Sequence, residues 1–550
     1  MAAAPAPFHS PRTLLTARAM SQNRPDRRTF AIISHPDAGK TTLTEKLLVA
    51  GGAIHMAGEV KARGQARRAR SDWMKIEQQR GISVTSSVMT FEHAGLVFNL
   101  LDTPGHEDFS EDTYRTLTAV DSAVMVIDAA KGIEPQTLKL FEVCRLRSVP
   151  IVTFINKVDR EGQSPFELLD EVADRLALDV CPMNWPVGMG GTFSGLYDLV
   201  EPSLAVPGKE ASRAFEGERI ALAGHDDPKL AAAVDSRALD QFNEEIELAS
   251  AGYAPFDAAA YRGGDLTPVY FGSALKEFGV VDLLAALAAH APGPQPQPAE
   301  PAPVCPDDDA VTGFIFKVQA NMNPAHRDRI AFMRLCSGKF ERGMRLTQGG
   351  TGKAIAISRP MLFLAQDREM AEEAWPGDII GIPNHGTLRV GDTLSERSDI
   401  TITGLPNFAP EILRRVALVD PTKTKQLRKA LDDMAEEGII QVFYPEIGSN
   451  MIVGVVGQLQ LDVLISRLEA EYKVEAKLEA SPWDTARWIA SDDPAALKAF
   501  QSDHRGASAA DRDGAPVFMA KDAWEVGYVT QRHPAIRFTA TKERRFADAG

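Results

Sequence analysis

The chain has 550 residues, a formal net charge of −15 and a pI near 5.3, with 44% hydrophobic and 25% charged residues. This composition is typical of a globular chain of about three or four domains, and its acidity argues against a protein that holds nucleic acid by bulk positive charge. The cysteines are far apart in sequence and the apolar runs are short, so the sequence predicts no disulfide framework, no zinc site, no membrane span and a cytoplasmic protein. The four cysteines are Cys144, Cys181, Cys305 and Cys336.

Residues 1–27 are rich in alanine, proline and arginine, and their first acidic residue is Asp26. A targeting peptide would have this acid-poor composition, but the segment lacks the apolar core of a secretory signal. A start codon placed too early, with Met20 as the true first residue, is a second interpretation. We favour a third, a disordered N-terminal extension.

The next segment has the order strand, tight loop, helix. Residues 29–33 are apolar and predict a buried strand, and leucines recur at helical spacing after residue 42. This context is typical of a phosphate-binding loop, in which Lys40 would reach the β and γ phosphates and the Thr41 hydroxyl would bind Mg²⁺. A chance Gly-Lys-Thr sequence is the alternative, since Ser34 replaces the first glycine of the usual pattern. The candidate GTP-binding residues of this loop are Ser34, His35, Pro36, Asp37, Ala38, Gly39, Lys40, Thr41 and Thr42.

A second apolar strand, at residues 96–101, ends at a further candidate loop. Asp102 stands at the strand end, where a Mg²⁺-binding carboxylate belongs, and Gly105 would let a backbone N–H approach a γ-phosphate. His106 lies where a side chain that positions water is needed, although a lone histidine is more often structural. The candidates here are Asp102, Thr103, Pro104, Gly105 and His106.

A third strand, at residues 150–155, delivers Asn156, Lys157 and Asp159. A carboxylate accepts two hydrogen bonds from the N1–H and 2-amino group of guanine, and adenine lacks that pair of donors, so Asp159 would select guanine. Asn156 can tie this loop to the phosphate loop, and the Lys157 stem can lie along the base. After residues 269–271, the backbone of Ser273 and Ala274 could bond the guanine O6.

Together these motifs predict a multidomain protein that begins with an α/β P-loop GTPase domain of the translation-factor type. That domain would span residues 28–290, with an insertion at about 185–262 because Asp159 and Ser273 are far apart in sequence. A proline-rich linker at 291–303 would lead to a small β-barrel at 304–400. Residues 401–550 would form an α+β C-terminal domain whose β-α-β-β-α-β order is ferredoxin-like.

Five segments closely resemble the class II release factors of bacteria, the peptide chain release factor 3 family of translational GTPases. The segments are residues 34–42, 71–74, 80–83, 102–115 and 319–329. The similarity runs from about residue 28 to the mid-540s, and Ser34 looks like this family's own form of the phosphate loop.

The resemblance implies a ribosome-dependent GTPase of translation termination. It would hydrolyse GTP to GDP and phosphate and promote the departure of class I release factors after peptide release. Thr41 and Ser83 would ligate Mg²⁺, Asp102 would hold it through water, and His106 would orient the attacking water between Pro36 and Ile82. The implied partners are ribosomal RNA and proteins and, functionally, class I release factors, with the protein itself a monomer.

Two alternatives remain. A ribosome factor like elongation factor G shares the first two domains, but the sequence pattern reveals only one α+β unit after the barrel. A nucleotide-regulated binding module without catalysis is the other, and the intact stretch from Asp102 to His106 counts against it.

Overall fold

A computed structural model describes residues 26–54, 86–206, 218–320, 329–363, 368–448 and 451–543. The predictions for Ser83, Ile82 and the N-terminal extension to residue 25 lie outside these ranges. Among the described residues, no helix is both long and apolar enough to cross a lipid bilayer.

The first eleven strands and eight helices form the N-terminal part. The strands are β1 (Arg27–Ser34), β2 (Ser87–His93), β3 (Leu96–Asp102), β4 (Ser122–Asp128), β5 (Ile151–Asn156), β6 (Asp179–Pro182), β7 (Asn184–Val187), β8 (Gly195–Asp198), β9 (Ser203–Ala205), β10 (Arg219–Ala221) and β11 (Leu266–Gly272). The helices are α1 (Lys40–Ala50), α2 (Ser110–Leu117), α3 (Pro135–Leu146), α4 (Pro165–Leu176), α5 (Pro228–Ala233), α6 (Ser236–Gly252), α7 (Ala258–Gly263) and α8 (Val280–His290).

Seven of these strands build one sheet in the order β2-β3-β1-β4-β5-β11-β6. All neighbours are parallel except β2 and β3. Every residue of β4 and β5 is buried, because helices cover both faces of a parallel sheet. The carboxyl ends of β1, β3, β5 and β11 therefore meet at one edge, which is where ligands bind in such sheets.

The segment predicted as an insertion forms a small sheet of its own. Its four strands pair antiparallel in the order β10-β9-β8-β7. Trp185 and Phe242 pack in a buried cluster with Phe271 of β11, and the Trp185 indole N–H donates to Glu245 Oε2 at 2.8 Å. The insertion is thus anchored to the strand that precedes the Ser273 loop.

A β-rich domain follows, as predicted. After β12 (Ala299–Glu300) come β13 (Thr312–Ala320), β14 (Arg329–Ser337), β15 (Phe340–Glu341), β16 (Arg345–Gln348), β17 (Ala354–Ala356), β18 (Met361–Phe363), β19 (Arg368–Met370), β20 (Glu373–Ala374), β21 (Ile379–Pro383), β22 (Thr393–Ser395) and β23 (Thr401–Ile402). Eight of them form an antiparallel sheet in the order β17-β16-β22-β13-β14-β21-β18-β19.

The C-terminal part contains two β-α-β-β-α-β units in tandem. The elements are β24 (Pro406–Phe408), β25 (Ile412–Leu418), α9 (Thr424–Glu437), β26 (Gln441–Pro445), β27 (Met451–Val455), α10 (Gln458–Ala470), β28 (Ala476–Ala480), β29 (Thr485–Ala490), α11 (Pro494–Asp503), β30 (Ser508–Asp511), β31 (Pro516–Ala520), α12 (Ala523–Arg532), β32 (Arg537–Thr539) and β33 (Thr541–Glu543).

The first unit has the antiparallel order β28-β25-β27-β26, as a ferredoxin-like fold requires, and the prediction of this unit was correct. The second unit has the same arrangement, β30-β31-β29-β32, and pairing of β26 with β30 joins the two into one eight-stranded sheet. The sequence pattern predicted only the first of these units. The expectation of a single α+β unit after the barrel, which argued against an elongation factor G-like protein, was therefore wrong.

Candidate nucleotide site

The phosphate loop lies between β1 and α1, at the carboxyl edge of the sheet. Asp37 and Gly39 adopt the left-handed region with φ of 66° and 98°, and α1 begins directly after Gly39. The loop therefore turns sharply enough to present the first amides of α1 toward a bound anion. The Ser34 hydroxyl is buried with no hydrogen-bond partner among the described residues, so a polar atom here remains available to a ligand.

His35 serves the loop as a buried neutral side chain. Burial lowers its pKa below the ordinary value, and the nearby Glu134 carboxylate, whose Oε2 lies 2.6 Å from His35 Nδ1, opposes that shift. Because the pKa stays below its usual range, the ring is neutral at pH 7. Within this loop the positive charge toward phosphate thus comes from Lys40.

The second loop brings Asp102 to the phosphate loop. Asp102 Oδ1 lies 2.5 Å from Lys40 Nζ and accepts from the Thr44 hydroxyl at 3.3 Å, and all three side chains are buried. The Thr103 hydroxyl donates to the Ile32 carbonyl at 2.7 Å, which fixes the loop against β1. Lys40 and Asp102 therefore share one polar pocket at the strand ends.

The oxygen donors at this pocket suit a hard divalent cation that is held mainly by phosphates and water. Asp102 supplies one carboxylate, and Thr41, at the start of α1, supplies a half-buried hydroxyl. No group of three or more His, Cys, Asp or Glu side chains in the described part of the chain could hold a metal alone. Mg²⁺ typically binds through one or two protein oxygens together with nucleotide phosphates, so this donor set fits it.

His106 is the partly exposed residue of the second loop. Its side chain is 31% exposed, Nδ1 accepts the Asp108 backbone N–H at 3.2 Å, and Asp108 Oδ1 lies 3.4 Å from the same nitrogen. The ring packs edge-on against Phe109. With Nδ1 engaged, Nε2 is the nitrogen that remains available to a water or substrate atom.

The third loop is tied to both neighbouring loops through Asn156. Its Nδ2 donates to the Ala38 carbonyl at 2.8 Å, and its Oδ1 accepts the Ala274 N–H at 2.8 Å. Lys157, with a φ of 72°, extends its Nζ to the Asp37 carbonyl and to Asp128 Oδ2, both at 2.6 Å. The Asn156 amide thus links the third loop to the phosphate loop and to the fourth loop, and the Lys157 ammonium group adds a second link to the phosphate loop.

Asp159, the predicted base-recognising carboxylate, is nearly buried at the end of the third loop. Its side chain is only 6% exposed, and Lys276 Nζ lies 3.5 Å from Oδ2. In the fourth loop the Ser273 N–H donates to the Phe278 carbonyl and the Ala274 N–H donates to Asn156 Oδ1. The expected contact of this loop with a guanine O6 stays a prediction.

Sequence reasoning also missed Asp128, which anchors Lys157. Asp128 stands at the carboxyl end of β4, between the ends of β1 and β5. Interactions with Lys157 and with the Ala130 N–H keep its pKa below the ordinary value, although burial alone would raise it. Its position at a strand end was the signal that could have identified it.

Gly39 gives a direct test of the phosphate loop. We expect Gly39→Ala to weaken GTP and GDP binding by about 2–4 kcal/mol, because a Cβ would lie 2.3 Å from Asn156 Nδ2 at a φ that alanine rarely adopts. Nucleotide affinity measured by fluorescence titration checks this. Gly52→Ala is the matched control, since Gly52 also has a positive φ but no atom within 4 Å of its Cβ position. Equal affinities for the two variants would contradict the prediction.

Three domain families match consecutive parts of the chain. The Elongation factor Tu GTP binding domain matches residues 25–293, which identifies the protein as a GTPase, and Elongation factor G domain 2 matches residues 310–397. The Class II release factor RF3, C-terminal domain, matches residues 402–530. The order of these three matches is consistent with a class II release factor.

The chain also shares its fold with a solved structure. A crystal structure of a protein from Thermus thermophilus superposes with a TM-score of 0.67 at 23% identity, covering 85% of this chain and 69% of that one. The likeness supports the arrangement of an α/β nucleotide domain followed by β-rich domains. The C-terminal family match, and not the number of α+β units, distinguishes the chain from elongation factor G.

Proposed function

We propose that this chain is a class II release factor, a ribosome-stimulated GTPase that promotes dissociation of class I release factors after peptide release. The observation that carries the proposal is that a class II release factor C-terminal domain occurs on the same chain as a sheet edge that assembles Lys40, Asp102, His106 and Asp159. The proposed partners are ribosomal RNA and proteins and class I release factors. We propose that the protein works as a monomer in the cytoplasm.

In this proposal the reaction transfers the γ-phosphoryl group to water, where catalysis depends on positioning and charge stabilisation. Lys40 would leave Asp102 to contact the β and γ phosphates. Thr41 and, through water, Asp102 would hold Mg²⁺, with Ser83 as the further hydroxyl, and the bound ion would supply charge neutralisation to the phosphates. Asp159 accepts hydrogen bonds from the guanine edge, and Asn156 holds the third loop against the phosphate loop.

His106 orients the attacking water through Nε2, while the Asp108 N–H fixes Nδ1. The ring is partly exposed and packs by one edge on Phe109, so the Nε2 side is not covered in the free protein. We therefore expect slow hydrolysis without ribosomes, which would complete the site around His106. Pro36 would form one apolar wall.

The test is GTP turnover with and without ribosomes. We expect strong stimulation of the wild type and a loss of about 10²–10³-fold in stimulated kcat in His106→Ala, because one positioned group is worth about that much. His225→Ala, at an exposed histidine of the insertion, should behave as wild type. A recycling assay with a class I factor then separates termination from translocation. Substantial ribosome-independent turnover, or stimulated turnover that survives in His106→Ala, would contradict the proposal.

A further inference from the structure

Helix α10 of the C-terminal part begins without a side-chain cap of its own. The residue before it is Gly457, and the Gln460 side chain accepts the Val456 and Gly457 N–H groups at 2.7 and 3.1 Å. The Leu459 N–H, which an N-cap side chain would normally receive, donates to Asp108 Oδ2 at 2.6 Å. The cap therefore comes from the nucleotide domain, 351 residues earlier in the chain.

The carboxylate explains why residue 457 is glycine. Gly457 has φ −141° and ψ 166°, an extended conformation that any residue adopts, so the backbone does not require glycine. A Cβ at this position would lie 2.0 Å from Asp108 Cγ and 2.1 Å from Oδ1. Glycine thus leaves the space that Asp108 fills, and the negative charge there also suits the positive end of the helix dipole.

Asp108 also contacts His106. The Asp108 N–H donates to His106 Nδ1, and residues 107–109 form a single 3₁₀ turn that begins where the Phe109 N–H bonds the His106 carbonyl at 3.1 Å. Phe109 is buried among apolar side chains of the C-terminal part, including Leu427 and Leu461. The turn that carries His106 is therefore held from the C-terminal side by one hydrogen bond and one apolar anchor.

A second contact lies further along the same segment. Arg115 of α2 donates to Asn407 Oδ1 at 3.2 Å and to the Gly438 carbonyl at 3.4 Å, while its guanidinium also pairs with Glu111. The segment from His106 to the end of α2 is thus attached to the C-terminal part at two separated points. Displacing that part would move the segment with it.

We propose that Asp108 is a positioning residue that couples His106 to the C-terminal part, so that the seating of α10 on Asp108 determines whether His106 is held for hydrolysis. The proposal rests on the proposed role of His106. In this proposal a ribosome contact that shifts α10 would change the support of the turn at residues 107–109. The ribosome could thereby act on the nucleotide site from the C-terminal part.

The experiment approaches the contact from both sides. Asp108→Ala removes the acceptor of the Leu459 N–H, and Asp108→Asn keeps an oxygen acceptor. Gly457→Ala displaces the Asp108 carboxylate by a substitution in the C-terminal part, so the sequence of the nucleotide domain is unchanged. Gly527→Ala, whose Cβ would meet nothing within 4 Å, is the control in the same part of the chain. Melting temperatures establish that each variant folds. The readouts are stimulated kcat and KM, GTP affinity of the free protein, and hydrogen exchange of the Leu459 amide.

We expect Asp108→Ala and Gly457→Ala to lower stimulated kcat by about tenfold or more, with GTP affinity within about twofold of wild type, because His106 is misplaced while the phosphate loop is intact. Asp108→Asn should recover most of the rate. Exchange at Leu459 should accelerate in Asp108→Ala and Gly457→Ala and stay slow in Gly527→Ala.

Two results would overturn the proposal: wild-type kcat in Gly457→Ala, or a change confined to GTP affinity. Unchanged exchange at Leu459 in Asp108→Ala would show that the contact itself does not exist in solution. Failure of this proposal can be distinguished from failure of the proposed function. If ribosomes do not stimulate the wild type, the proposed role of His106 is wrong, but exchange of the Leu459 amide still reports whether the contact with Asp108 exists. Should Gly457→Ala not fold, the comparison of Asp108→Ala with Asp108→Asn decides.

Discussion

Replacing Asp159 with asparagine is expected to weaken GTP binding by about 10²–10⁴-fold and to create affinity for xanthosine triphosphate. The wild-type carboxylate is 6% exposed, and in the proposed complex it accepts both the N1–H and the 2-amino group of guanine. Each hydrogen bond to a charged group is worth about 1.5–3 kcal/mol, and a buried partner left unpaired adds a penalty. The asparagine amide would face the guanine 2-amino group donor to donor, whereas xanthine offers a carbonyl oxygen at that position.

Competition titrations with GTP, XTP and ATP measure this change in specificity. Lys276→Ala is the matched control, because Lys276 Nζ lies 3.5 Å from Asp159 but is 55% exposed, and exposed ion pairs contribute little. We expect its GTP affinity to fall by no more than about fivefold. GTP affinity that is unchanged in Asp159→Asn would refute the assignment of Asp159 to the base.

The sequence predicts that the candidate nucleotide loops lie together, because each of them is built from local pattern. Each loop follows a short apolar strand, and parallel strands bring their carboxyl ends to one edge whatever the separation in sequence. Lys40, Asp102 and Asn156 could therefore be predicted together from three separate stretches. The hydrogen bond from the Ala274 N–H to Asn156 Oδ1 shows the limit of that reasoning, since local pattern does not specify which donor pairs with which acceptor.

The second β-α-β-β-α-β unit could not be predicted from the sequence pattern, for a different reason. Its strands are short, and β30 reads Ser-Ala-Ala-Asp, with no β-branched or aromatic residue to signal a strand. The strand exists because β26 and β31 pair on its two sides, which is a tertiary effect. Contacts such as Asp108 with Leu459 are also invisible to local pattern, because nothing in either segment specifies its partner.

The largest stability effect is expected at the junction of the nucleotide domain and the β-rich domain. Arg334 and Asp121 are 2% and 1% exposed, their Nη2 and Oδ2 atoms lie 2.5 Å apart, and Arg334 Nη1 donates to the Gly377 carbonyl at 2.7 Å. Beside them Arg27 binds Asp378 through two hydrogen bonds of 2.9 and 2.8 Å. Arg334→Ala should destabilise the protein by about 3–5 kcal/mol, because it leaves a carboxylate buried without its cation.

The pH dependence of that loss follows from Asp121. Burial raises the pKa of Asp121 above its usual value in the wild type, and the Arg334 guanidinium opposes the shift. Without Arg334 the pKa should rise further, so the native state retains a proton that the unfolded state releases, and stability falls as the pH rises. Urea denaturation of Arg334→Ala should accordingly show a larger deficit at pH 7 than at pH 5.

Two further variants make this result specific to a buried pair. Arg342→Ala removes an exposed pair with Glu372, 42% and 69% exposed, and should cost less than about 1 kcal/mol at either pH. The double variant Asp121→Asn with Arg334→Met removes both charges at once, so its deficit should be smaller than that of Arg334→Ala and should not grow from pH 5 to pH 7, since the Asp121 carboxyl is no longer present to titrate. A deficit in Arg334→Ala no larger than in Arg342→Ala would show that the junction between the two domains is held by its apolar contacts and not by this pair.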